Sequence, residues 1–241
     1  WYTFIECAQT VSDRIGGFMK LNGNPKIEYS TLFWLFFFGS VTGFVLEGLW
    51  RILLLGHWEN HAATVWGPFC LVYGVGAVAM YLVAYAVWDK SFFVQFLVFA
   101  AAGSAVEYAA SYLQELLFGS RSWDYSGDPF NLNGRITLHM SAIWGLLGVA
   151  FAKLAFPLIE KVRRRPEKKL GRLVCAALSV YMAINLCVTG ASVYRWSERI
   201  RGVAPQSRTE RLLDRYFNDD RMLRVFSDMV FDTSQGAGTS E

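Results

Sequence analysis

The sequence predicts an all-α fold, a polytopic membrane helix bundle, and three observations carry that prediction. Hydrophobic residues occupy 54% of the 241 positions and charged residues only 18%, a composition far from that of soluble domains. Five apolar runs approach the roughly 20 residues needed to cross ~30 Å of hydrocarbon. The strongest block of positive charge sits in one short link between two of those runs, as in chains oriented by their loops. A net charge of +3 is too small to create a nucleic-acid-binding field, so nucleic acid is excluded as a partner and the lipid bilayer is the expected one.

The chain divides into three parts. Residues 1–30 form an N-terminal amphipathic segment: Trp1, Phe4, Ile5, Ala8, Val11, Ile15, Phe18 and Met19 recur at helical spacing, which suits a helix lying on the bilayer surface or docked on the protein's own core. Asn22 to Pro25 then turn the chain into the membrane. Residues 31–194 hold the five expected transmembrane helices, Thr31–Leu55, Gly67–Trp88, Phe92–Phe118, Ile136–Phe156 and Leu170–Tyr194. Asp89, Lys90 and Ser91 alone separate the second from the third. Residues 195–241 are a polar tail with eight arginines and eight acids, in which two short amphipathic helices are expected on either side of Asn218–Asp220 and a frayed end from Asp232.

Orientation follows from the link between the fourth and fifth runs, EKVRRRPEKKLGR, Glu160 to Arg172. Its arginines and lysines place it in the cytoplasm, together with the N-terminus and the Asp89 turn, and leave the two longer loops outside. The four cysteines, Cys7, Cys70, Cys175 and Cys187, show no CxxC spacing and read as small apolar helix residues.

A weak repeat runs through the first half. Gly43 and Glu47 recur sixty residues later as Gly103 and Glu107, each pair followed by a polar loop and a glycine-bearing helix, as in transporters built from parallel repeats. Glu47 lies about eight residues, or ~12 Å, inside the end of its run. A charge at that depth costs at least ~2.5 kcal/mol unless it is paired, protonated or wet. Arg51, one turn away, offers Glu47 a local ion pair. Glu107 has no cation within helical reach, and Arg135 is the expected partner.

The loop WDYSGDPFNLNGR, Trp123 to Arg135, supplies Asp124, Tyr125, Ser126, Asp128, Asn131, Asn133 and Arg135 at one helix mouth. Asn and Asp beside Gly and Pro are ordinary turn formers. Arg135 is not explained that way, because a guanidinium offers five fixed donors suited to a carboxylate or phosphate. Metal catalysis has little support: His139 has no second histidine nearby, and His57 and His61 could share an ion only if their loop were helical. There is no P-loop, GxSxG elbow or HExxH, so no cofactor or catalytic residue is assigned. An enzyme would have to use the intramembrane carboxylates themselves.

These segments resemble a known family. GFVLE at Gly43–Glu47, GPFCLVYGVGA at Gly67–Ala77, EYAASYLQE at Glu107–Glu115, WDYSGDPFNLNGRI at Trp123–Ile136 and WGLLG at Trp144–Gly148 are similar to the CmpB-like bacterial membrane proteins called Putative ABC-transporter type IV. The resemblance spans about Phe33 to Phe156 and departs at Leu71, where the family pattern has a proline. It implies a permease of the bacterial plasma membrane, working with a separate ATPase or another membrane subunit, or as a homo-oligomer. The substrate-binding residues it implies are Glu47, Glu107, Asp124, Asn131, Asn133 and Arg135, with Gly134 beside them, and the topology read from the residues suggests an outward-facing polar cavity lined by Glu47, Glu107, Asn131, Asn133 and Arg135 for a small polar or charged solute. The alternatives are a membrane-embedded enzyme acting on lipid or lipid-linked substrates and a structural membrane subunit.

Overall fold

The computed structural model describes residues 27–163 and 168–231. The expected surface helix of residues 1–20, the turn at 22–25, part of the cationic link and the last ten residues lie outside the described residues. Helix α1 spans Tyr29–Leu55, α2 Leu71–Val87 and α3 Phe92–Phe118. Helix α4, Leu138–Ala150, runs through a π-helical turn, Phe151–Ala155, into α5, Phe156–Arg163. Helix α6 spans Lys169–Ile200, and the tail adds α7, Arg208–Tyr216, and α8, Asp219–Val225. Four two-residue strands complete the described chain: β1 Ser120–Arg121, β2 Asn131–Leu132, β3 Ile136–Thr137 and β4 Val230–Phe231.

The described chain is mostly helical, and four of its helices are long and apolar enough to cross a membrane: α1, α3, the continuous Leu138–Arg163 rod and α6. The second predicted run is shorter. It begins at Leu71 rather than Gly67, leaving 17 helical residues, about 25 Å of rise. Pro68 disfavours helical backbone at Gly67, which adopts φ 85°. Leu71 is the first helical residue, a station where proline starts a helix rather than kinking it, so the break before α2 does not depend on a proline there.

The segment before α2 is irregular and reaches the middle of the neighbouring helices. The Cys70 amide donates to the Ser40 carbonyl of α1 (2.9 Å). Halfway along α6, Asn185 donates to the Trp66 carbonyl (2.7 Å), and Thr189 accepts from the Val65 amide (3.0 Å). Non-helical backbone at membrane depth is stable only where protein supplies its hydrogen bonds, which is the service these polar side chains perform.

The repeat anticipated from Gly43 and Gly103 is built into the packing. In α1 and α2, Gly43 leaves room for the Tyr73 ring, and Gly74 lies against the Phe36 carbonyl. In α3 and α4, Gly103 leaves room for the Trp144 ring, and Gly145 lies against the Phe96 carbonyl. Each pair is thus an antiparallel hairpin closed by an aromatic-glycine dipeptide on a glycine face, and both hairpins run in the same sense. Pro157 removes an amide from the fourth span one turn after Lys153, and the π turn, in which Phe156 N–H reaches Phe151 O, absorbs the misfit.

Helix α6 continues six residues beyond the predicted Tyr194 because Arg195 is buried and fully paired. Its guanidinium donates twice to Asp214 (2.9 and 3.0 Å), once to Glu198 (3.0 Å) and once to the Val203 carbonyl (3.1 Å). Around that anchor the tail folds back. Ser207 and Glu210 form a capping box for α7, Asn218 caps α8, and Phe217, Met222 and Phe226 bury against Val65, Val193 and Trp196. Strand β4 then pairs with β1, so the tail is stitched to the loop that follows α3.

A Cβ at Gly103 would stand 2.5 Å from the Trp144 ring. Gly103→Ala is therefore expected to destabilise the protein by about 1–3 kcal/mol, the usual cost of overpacking, measured by denaturant unfolding in micelles. Asp214 provides a pH test. Its hydrogen bonds from Arg195 foremost, opposed by burial and aided by Arg199, hold its carboxyl below the ordinary value. A depressed acid contributes stability above its unfolded pKa and loses it as pH falls through the folded one. Cleavage of the 201–207 linker by an acid-tolerant protease should stay low from neutral to mildly acidic pH and rise only in strong acid, whereas Asp214→Asn should raise it throughout.

Candidate functional site

The two glutamates of the repeat sit one turn beyond their glycines, so the aromatic side chain seated on each glycine reaches the carboxylate above it. Glu107, only 4% exposed, accepts from the Trp144 indole Nε1 (2.6 Å) at Oε2 and from the Tyr125 hydroxyl (3.1 Å) at Oε1. Glu47 accepts from the Tyr73 hydroxyl (3.0 Å). The Tyr73 and Trp144 rings touch, with centroids 5.9 Å apart, so the two half-sites meet back to back.

Neither expected ion pair forms. Arg51 turns away from Glu47 toward Glu59 (3.4 Å) and Asp228 (3.5 Å). Arg135 pairs with Glu115 (2.7 Å) instead of Glu107, and depth explains the exchange. Arg135 closes the β2–β3 turn at the end of the bundle, level with the last turns of α3, whereas Glu107 lies eight residues, about 12 Å, deeper. Glu115 also takes a two-pronged bond from Arg121 (2.9 and 2.9 Å). The Arg135 guanidinium lies 5.6 and 5.5 Å from the Tyr108 and Tyr112 ring centroids, and its buried Nε and Nη1 have no hydrogen-bond acceptor among the described residues. The tyrosine faces partly compensate as cation–π partners.

The loop also aims Tyr125 at Glu107, and its polar side chains hold it in shape. Asp124 accepts from the Ser126 amide (2.9 Å) and hydroxyl (2.5 Å), and these bonds hold its carboxyl below the usual range. Asn131 donates to the Asp128 carbonyl (2.8 Å) and accepts from the Gly134 amide (3.0 Å). Asn133, in left-handed backbone with φ 55°, donates to the Tyr108 hydroxyl (2.8 Å). Gly134 must be glycine twice over, because its φ is 68° and a Cβ would strike Asp124 and Ser126. The Trp123 indole clamps the loop to the Arg135 carbonyl (3.0 Å). Burial first, then the Glu107 charge, push the Tyr125 phenol up, so Tyr125 remains a donor to that carboxylate.

The structure thus links Glu47 and Glu107 through Tyr73 and Trp144, whose rings touch, and leaves Asp124, Asn131, Asn133 and Arg135 at the bundle end. A groove of about 410 Å³ opens at that end, lined by Glu115, Arg121, Trp123, Asp124, Asp228 and Phe231 among others. Of the six predicted site residues only Asp124 lines it. The sequence reading did not single out Tyr73 and Trp144, for which the matching dipeptides Tyr73-Gly74 and Trp144-Gly145 were the available signal, and it named Tyr125 in the loop without its bond to Glu107. A second fully buried carboxylate, Glu160 at the opposite end, accepts from Tyr81 (2.8 Å), Tyr85 and Arg163 (2.8 Å) and is satisfied there. The loop holding His57 and His61 is not helical, so the two do not share a helix face. His57 lies near the Leu55 carbonyl (3.2 Å), while His61 meets Asp228 (2.5 Å), whose hydrogen bond raises the imidazole against the effect of burial.

The family model described as Putative ABC-transporter type IV matches residues 34–190, which takes in both helix pairs, both loops and most of α6. The chain belongs to that family. It is accordingly a transporter-related membrane protein with several apolar spans. No curated protein and no solved structure matches it. The family match contains Glu47, Glu107 and all their hydrogen-bond donors, and ends before Arg195 and the docked tail.

Trp144→Phe keeps a ring on Gly103 but removes the indole donor from a buried carboxylate. It is expected to cost about 1–3 kcal/mol of stability in thermal or denaturant unfolding. Combining it with Glu107→Gln should be less damaging than the sum of the two, since both act on one hydrogen bond.

Proposed function

We propose that this member of the Putative ABC-transporter type IV family is a permease-type protein that binds a small cationic or protonatable solute between Glu47 and Glu107. The observation that carries the reading is the chemistry around the two carboxylates. Their hydrogen-bond partners are hydroxyl and indole donors, and among the described residues no lysine or arginine forms an ion pair with either. Two acids held near each other at membrane depth need a counter-charge, which a proton or a solute cation supplies. Tyr73, Tyr125 and Trp144 orient the carboxylates and leave their remaining lone pairs for the ligand.

In this reading the short α2 is a fifth span completed by the irregular 60–70 segment. The molecule comprises an interfacial segment 1–30, the spans 31–194 and the tail 195–241. It resides in the bacterial plasma membrane with its N-terminus and cationic link in the cytoplasm, and the groove end outside. Membership of a transporter family supports association with other subunits, and the cationic link from Glu160 to Arg172 is where an ATPase would dock. A second reading, a membrane enzyme or binder of lipid-linked phosphate, is favoured by the two acceptor-less nitrogens of Arg135.

The test uses proteoliposomes on a supported membrane, challenged in turn with methylammonium, guanidinium, choline and putrescine. At least one cation should evoke charge movement that falls by at least about tenfold in Glu107→Gln and in Glu47→Gln. Unchanged currents in both variants would remove the carboxylate pair from the mechanism. Phospholipid co-purifying with wild type but not with Arg135→Ala, together with no cation response, would favour the second reading.

A further inference from the structure

Away from the carboxylate pair, one cluster of ligand-type side chains joins elements that are distant in sequence. Glu59 and His61 lie in the loop after α1, and Asp228 lies beyond α8 in the tail. Asp228 Oδ2 is 2.5 Å from His61 Nδ1, and Glu59 Oε2 is 3.5 Å from His61 Nε2. One ligand atom from each of the three residues lies within 4.8 Å of the others. The His61 side chain is 9% exposed, and its Nε2 is buried with no hydrogen-bond partner among the described residues.

We propose that Glu59, His61 and Asp228 bind a divalent transition-metal ion of the zinc class, through two carboxylate oxygens and one imidazole nitrogen, with a fourth position open to water. The donor set selects the metal. Imidazole beside carboxylate suits zinc and its neighbours, whereas calcium and magnesium prefer oxygen throughout. Tetrahedral ligands at about 2.0–2.2 Å from zinc stand roughly 3.3–3.6 Å apart, so with Nδ1 as the imidazole ligand Asp228 gives up its 2.5 Å hydrogen bond and moves out by about 1 Å, while Glu59 closes by a similar amount. Arg51, 3.4 Å from Glu59 and 3.5 Å from Asp228, orients both carboxylates in the way second-layer groups fix metal ligands. Two carboxylates and one guanidinium leave a single negative charge for the incoming dication. Asp228 also lines the groove, which provides the ion's route in.

The consequence is a metal staple. His61 already forms a β-bridge with Phe226, and Asn60 bonds the Arg224 carbonyl (3.1 Å) and accepts from Ser227 (3.0 Å). An ion at this point locks the tail across the first loop.

The experiment uses tag-free full-length protein in nanodiscs, stripped with chelator and titrated with Zn²⁺ alone, bound metal being counted by mass spectrometry. Wild type should hold one zinc per chain, and zinc but not magnesium should raise the Tm and slow cleavage of the 201–207 linker. His61→Gln and Asp228→Asn should each weaken zinc binding by at least about tenfold. Cys187→Ser, which removes an exposed thiol, should retain it. Less than stoichiometric zinc on wild type overturns the proposal whether or not the variants fold. Equal binding by wild type, His61→Gln and Asp228→Asn overturns it too.

Discussion

Everything in the bundle is arranged around two carboxylates that have to be accommodated at membrane depth. A carboxylate in that position is expensive unless donors reach it, and the donors here come from rings seated on glycines one turn below. Removing the side chain at Gly43 and Gly103 is what allows Tyr73 and Trp144 to lie flat on α1 and α3. Because the rings are fixed, their polar ends are fixed, and a hydroxyl and an indole arrive at Glu47 and Glu107 with ordinary hydrogen-bond lengths. Close helix packing and carboxylate solvation are therefore one device used twice.

The cations are managed differently. Arg195 and Arg163 are matched by carboxylates on the same helix or on the docked tail, and each acts as a structural knot. Arg51 is drawn to the first loop and the tail rather than to the glutamate one turn away. Arg135 shares Glu115 with Arg121 and is otherwise held between tyrosine faces. Segregating these charges at the two ends of the bundle keeps guanidinium away from the carboxylate pair, and that separation is the basis for reading the pair as a cation or proton site.

How much was legible in the sequence can be traced residue by residue. The apolar runs were plain because hydrocarbon demands length and composition. Gly43, Glu47, Gly103 and Glu107 were legible because a repeat leaves matching spacings. Glu107 and Arg135 were paired wrongly, since topology tells which residues share an end of the bundle but not how deep each lies. Asp124, Asn131 and Asn133 share the composition of binding residues and of turn formers, and the sequence does not say that Asp124 and Asn131 bond groups within their own loop or that Asn133 reaches the Tyr108 hydroxyl. Asp228 was not legible, because nothing local in the tail says that it folds back onto His61.

By itself the sequence determined that this is a helical membrane protein, which helices could form hairpins, and which acidic residues would be trapped in apolar surroundings; those follow from hydropathy, loop length and the cost of burying charge. Tertiary structure decided which partner each charge received, where α2 begins and what the tail covers. Those depend on depth, ring orientation and contacts between segments more than a hundred residues apart, such as Val65 with Thr189 and His61 with Asp228. No local pattern encodes them, because each is set by what the rest of the chain leaves unsatisfied.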